Sequence, residues 1–135
     1  MRKPAIRHLV YRSVSDLKPN PRNPRKHRQA QIRALAKSME TFGFNSPILT
    51  DAFGNVVAGH GRLEAAKLAG LTTVPVICLE DLTEAQAQAY MMADNRFTDL
   101  SDWDEKLLAV HLKELSDLAL EFDIEARALN YQKLI

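Results

Sequence analysis

The stretch Val56-Val57-Ala58-Gly59-His60-Gly61-Arg62-Leu63-Glu64-Ala65-Ala66 reads as the end of a strand, a glycine turn and the start of a helix. Two β-branched residues suit a strand end, and the apolar spacing after Arg62 suits a helix. A strand, a glycine turn and a helix N-terminus in that order make an anion-binding corner. Unpaired backbone N–H groups point outward there, and the helix dipole favours negative charge. Arg62 adds a planar fork matched to phosphate oxygens. If the chain binds a nucleotide, its phosphates belong at this corner. The alternative is that Gly59 and Gly61 are only turn glycines and Arg62 a solvated first-turn residue.

The rest of the chain sets the scale. Its 135 residues suit one domain with a real core, and 46% hydrophobic with 26% charged residues is ordinary for a soluble globular protein. No apolar run approaches the ~20 residues of a membrane span, and the basic start MRKPAIRHLVYRS lacks the apolar stretch of a signal peptide. The single cysteine, Cys78, forms no internal disulfide and is read as a small buried hydrophobe, so a cytoplasmic location is expected. The formal charge of +1 hides an asymmetry. Residues 1–28 carry nine Lys/Arg against Asp16 alone, a net of +8, and residues 29–135 carry a net of −7. Such a basic arm either contacts nucleic acid or folds onto its own acidic body.

Along the chain, alternation predicts a strand from His8 to Leu17, with Leu9, Tyr11 and Val14 on one face. Pro19, Pro21 and Pro24 force a loop at 18–25. Ile32, Leu35, Ala36, Met39 and Phe42 predict a helix capped by Gly43. Residues 46–50 and 55–58 read as a hairpin, and a helix runs from Gly61 to about Gly70. Residues 74–78 read as a strand in which Pro75 suggests a start or an edge. Thr83-Glu84-Ala85-Gln86 is a capping-box pattern opening a helix that runs toward Asn95. After a second N-cap pattern at 101–104, Leu107, Leu108, His111, Leu112, Leu115 and Leu118 form an apolar stripe. His111 is read as a partly buried core residue there and Trp103 as a packing anchor. A short last strand at 120–124 is expected. The architecture is α+β: a small mixed sheet with packed helices, then a helical C-terminal half.

This order of landmarks resembles the ParB N-terminal domain superfamily, the ParB/sulfiredoxin-like fold that includes the ParB-like nuclease domains. The matching residues are the Pro-rich loop at 17–25, Phe42-Gly43, Pro47-Ile48-Leu49, the box at 58–66, Gly70 and Val74-Pro75-Val76. The resemblance implies a domain over residues 9–119, with residues 1–28 supplying its first strand and basic loop and residues 120–135 a tail. It implies a nucleotide site for CTP, or for ATP or ADP, at Gly59, His60, Gly61, Arg62 and Leu63. The family's second box, Glu-Asn-x-x-Arg, corresponds to Asp94-Asn95-Arg96. Asp94 and Asn95 would hold Mg²⁺, and Arg96 would contact phosphate. Here Arg96 follows Asn95 directly instead of standing three residues on. The first box departs too, with His60-Gly61 where the family usually carries a glutamate and a second arginine. The sulfiredoxin cysteine has no counterpart in this box, which argues against that activity. Arg22, Arg25, Lys26 and Arg28 would close the site or touch DNA.

Three functions follow. The first is a nucleotide-binding module associated with DNA binding, partitioning or modification, similar to phage and mobile-element members linked to DNA methyltransferases. That reading leaves room for a methyltransferase partner and a homodimer. The second is a nuclease or nucleotide hydrolase or phosphotransferase, with His60, Glu64 and Asp94 as candidate catalytic groups around a metal. The third is a DNA-binding adaptor that uses only its basic arm.

Overall fold

In the computed structural model, which describes residues 2, 3 and 5–118, the elements run β1 (Leu9–Ser13), a 3₁₀ turn (Val14–Asp16), α1 (Gln29–Phe42), β2 (Ile48–Thr50), β3 (Val56–Ala58), α2 (His60–Leu68), β4 (Thr73–Cys78), α3 (Glu84–Leu100) and α4 (Glu105–Ser116). One four-stranded sheet has the order β1-β4-β2-β3. β4 pairs antiparallel with β1 and parallel with β2, and β2 pairs antiparallel with β3. The expected strand at 120–124 and the tail lie outside the described residues.

The sheet is mixed because β3 turns back beside β2 as a hairpin, while β4 reaches the other side of β2 through the α2 crossover. Strand residues alternate between two cores. Ile48, Val56, Val74 and Val76 face α2 together with Leu17, Leu63 and Ala66. Val57, with Leu49 and Ile77, faces Leu79 before α3 and Ala87 and Met91 on it. α1 lies outside α2, with Ile32 and Ala36 against Ala65. Helices therefore cover both faces, which is why Val56 and Val57 are both buried although their side chains point opposite ways.

Several expectations needed correction. β1 stops at Ser13 because the Ser13 hydroxyl accepts the Ser15 N–H and winds the chain into a 3₁₀ turn. β1 buries none of its side chains: it is an edge strand, with Tyr11 69% exposed. Pro75 lies not at an edge but in the interior strand β4. It is tolerated because β2 begins opposite Val76, leaving Pro75 only β1 as a ladder neighbour. α3 continues past Asn95 to Leu100, since no glycine or proline breaks residues 95–100. α4 has its stripe but buries no residue; His111 is exposed, and so is Trp103. Periodicity reports an apolar face, not what covers it.

The local signals elsewhere match their chemistry. Thr83 and Gln86 close a reciprocal capping box, and Asp104 caps α4 through the Leu107 N–H. The β2–β3 turn is built on Asp51, whose Oδ1 accepts the N–H groups of Phe53 and Asn55. Burial pushes the Asp51 carboxyl up, but these donors and the Asn55 side chain outweigh it and hold it below the usual value. The basic arm folds partly onto the body: Arg2 and Arg7 both pair with Asp81.

Ile48 is fully buried at the centre of the sheet. Ile48→Ala is expected to cost about 2–5 kcal/mol of unfolding free energy, read by urea denaturation.

Candidate functional site

The turn from β3 into α2 is made by Gly59, whose backbone is left-handed at φ 101° and ψ 25°. A Cβ at this position would lie 3.0 Å from Arg62 Nη2 and 3.2 Å from Ile48 Cγ1. Glycine is therefore required twice, for the turn and for the close packing over it. Gly59 accepts the Leu63 N–H at 2.9 Å, closing the first helical turn. The N–H groups of His60, Gly61 and Arg62 keep no partner among the described residues and open into a cleft of about 230 Å³. Leu63 is thus not one of the free donors: its N–H is taken and its side chain is in the core.

Arg62 reaches back across the turn and donates from Nη2 to the Pro47 carbonyl at 3.0 Å. Its Nε is buried with no hydrogen-bond partner. Burial lowers the Arg62 pKa and the charge of Asp94 offsets part of that; both residues line the cleft. His60 Nε2 accepts the Asn20 N–H at 3.2 Å, which puts its neutral-state proton on Nδ1. Burial lowers the His60 pKa, and the neighbouring His27 adds to the effect.

The Pro-rich loop is tied over the cleft. Arg25 donates to Asp99 of α3 at 2.8 Å, and the Asn95 amide donates to Asn23 Oδ1 at 3.4 Å. Asp94, Asn95 and Thr98 line the cleft from α3, as Arg25 and His27 do from the loop. Asp94 and Asn95 sit side by side with oxygens able to serve a hard cation. Among the described residues no three His, Cys, Asp or Glu cluster as a metal site on their own.

Other sequence candidates lie elsewhere. Arg96 is exposed and outside the cleft, about 200° around α3 from Asp94. Glu64 is exposed and outside it for the same reason relative to Arg62. Arg22 lines a separate, larger groove of about 960 Å³ beside Phe53 and Leu82. Lys26 and Arg28 are exposed. Cys78 is half-buried on β4, outside the cleft, and donates to the Asp51 carbonyl. Sequence reading missed Asn20, Asn23 and His27. The first two read as turn residues among prolines, and the third was hidden in a basic run.

The family model of the ParB N-terminal domain matches residues 4–95. The chain belongs to the ParB N-terminal domain family. It is 41% identical over 80 residues to ParB-like nuclease domain-containing protein YnaK of Escherichia coli (strain K12), covering 59% of this chain and 92% of that protein. It is 36% identical over 113 residues to stage 0 sporulation protein J of Bacillus subtilis (strain 168), covering 80% of this chain but only 40% of that longer protein. Among solved structures, the C-terminally truncated chromosome-partitioning protein ParB from Caulobacter crescentus, complexed with CTP-γ-S, superposes with a TM-score of 0.73 at 27% identity. That match covers 92% of this chain and 71% of the other. Among the described residues of this ParB domain, no helix is long and apolar enough to cross a membrane.

The His60 geometry gives a pH dependence with a definite sign. Its folded pKa lies below its ordinary value of 6.5, so the unfolded chain binds more protons in that window. Stability is expected to be full above about pH 7 and to fall as the pH drops below about 6.5. His60→Gln, which keeps an acceptor for Asn20, should flatten that fall in urea titrations at several pH values.

Proposed function

We propose that the cleft binds the polyphosphate of a nucleotide, CTP first among the candidates, and that the domain is a nucleotide-responsive module acting in DNA partitioning. The observation that carries this is the convergence of unpaired N–H groups of His60, Gly61 and Arg62 with the buried, partnerless Arg62 Nε. A buried donor without a partner, such as Arg62 Nε, is rare, and a phosphate supplies acceptors both to it and to the open helix N–H groups. The likeness to a partitioning protein complexed with CTP-γ-S supports the choice of ligand. The residues also fit a divalent cation: Asp94 and Asn95 would hold Mg²⁺, which would neutralise charge on the phosphates. Arg25, from the loop tied to α3, would cover the bound anion.

Lys26 and Arg28 lie outside the cleft and are exposed, which supports a role against a DNA backbone. Phe97, Leu100, Trp103, Leu107 and Val110 are 52–70% exposed along the end of α3 and the start of α4. That surface supports a second copy of the chain as partner, formed next to the helix that lines the cleft.

Calorimetry with CTP, ATP and ADP, with and without Mg²⁺, tests the ligand. CTP with Mg²⁺ is expected to bind, and Arg62→Ala to weaken it by about 2–3 kcal/mol through lost charged hydrogen bonds. Absence of heat with every nucleotide overturns the reading. For DNA, deleting residues 1–28 is no clean test, because it removes β1 and the buried Leu17. The double substitution Lys26→Glu, Arg28→Glu should instead weaken DNA binding at all sequences and lower its salt slope by about 2.

A further inference from the structure

Gly61 lies inside α2 with a backbone that any residue could adopt, and alanine is the better helix former there. Its glycine identity has another physical cause. A Cβ at Gly61 would stand 3.0 Å from His27 Cε1 and 3.1 Å from both His27 Nδ1 and Nε2. Three ring atoms at nearly one distance mean that the imidazole lies flat over the Gly61 Cα. The ring occupies the place a side chain at position 61 would take, beside the free N–H groups of α2.

His27 is oriented from its other side. Its Nδ1 is 3.1 Å from Gln31 Oε1 on α1, an oxygen that can only accept, so Nδ1 carries the proton. Nε2 has no hydrogen-bond partner among the described residues. The charged or titratable groups facing this ring across the cleft are Arg25 from the loop, His60 and Arg62 from α2, and Asp94 from α3; Arg25 is itself paired with Asp99.

We propose that His27 is a phosphate-contacting residue of the cleft, seated by Gly61, and that its Nε2 takes a proton from solvent as the anion binds. The ring with its proton on Nδ1 has no donor on Nε2. A phosphate beside it supplies the negative charge that makes Nε2–H a charge-assisted donor. The proposal rests on the nucleotide reading above and assigns a contact that the glycine-rich corner alone does not contain.

The test measures CTP and inorganic tripolyphosphate binding by calorimetry at about pH 8 and about pH 6, in two buffers of different ionisation enthalpy. Wild type, His27→Gln, Gly61→Ala and the double variant are compared after thermal melts confirm folding. Wild type should gain about three- to tenfold more affinity than His27→Gln on acidification. The ligand's own protonation is common to both proteins, and the comparison is repeated in a His60→Gln background because His27 helps to lower the His60 pKa. Proton uptake on binding should fall in His27→Gln. Gly61→Ala should weaken binding with His27 present and cost nothing further without it. Equal pH slopes and equal proton uptake in wild type and His27→Gln overturn the proposal, as does a Gly61→Ala loss of the same size in both backgrounds. If wild type binds neither probe, the nucleotide reading itself falls, an outcome distinct from these.

Discussion

The left-handed backbone at Gly59 is the constraint on which the cleft depends. It turns β3 directly into α2, so the helix starts at the sheet edge with its first N–H groups facing out. The same missing Cβ lets Arg62 fold back across the turn to the Pro47 carbonyl. An L-residue with a side chain would pay about 1–2 kcal/mol for the left-handed conformation alone. It would also push Arg62 and Ile48 apart, coupling the binding corner to the centre of the core.

The second constraint is coverage of the sheet on both faces. α2 and α1 fill one side and α3 the other, and each covering helix also contributes to the cleft. α2 brings its N-terminus, α1 brings Gln31 and α3 brings Asp94 and Asn95. Core packing therefore fixes the distances among groups from four separate segments, with the Pro-rich loop as the fourth. Residues far apart in the chain, such as Asn20 and His60, meet only because these layers stack.

Much of this was legible in the sequence. Apolar spacing located α1, and Thr83 with Gln86 located the start of α3, because those signals are local and chemical. The glycine corner was legible for the same reason. The position of β4 inside the sheet was not: Pro75 argues for an edge, and only the short reach of β2 makes it harmless. Nor was the split of the second box, where helical rotation separates Arg96 from Asp94. His27 was invisible because its role depends on an absent side chain at position 61, which no local pattern records. The fate of the basic arm was equally non-local, resting on Asp81 some 74 residues beyond Arg7.

The Pro-rich loop crosses the cleft as a strap fastened by polar bonds: Asn20 to His60, Asn23 to Asn95 and Arg25 to Asp99. Such contacts, partly open to water, are each worth only about 0.5–1 kcal/mol. One end is anchored to α2, which is packed into the core, and the other to the far half of α3, where the nearby aromatics are exposed. The strap is thus a fuse between a buried part and an exposed one. Any event that draws the end of α3 away from the sheet must break two of these fastenings first and bare the cleft as it does so. Any ligand that grips both the loop and α3 raises the threshold for that separation.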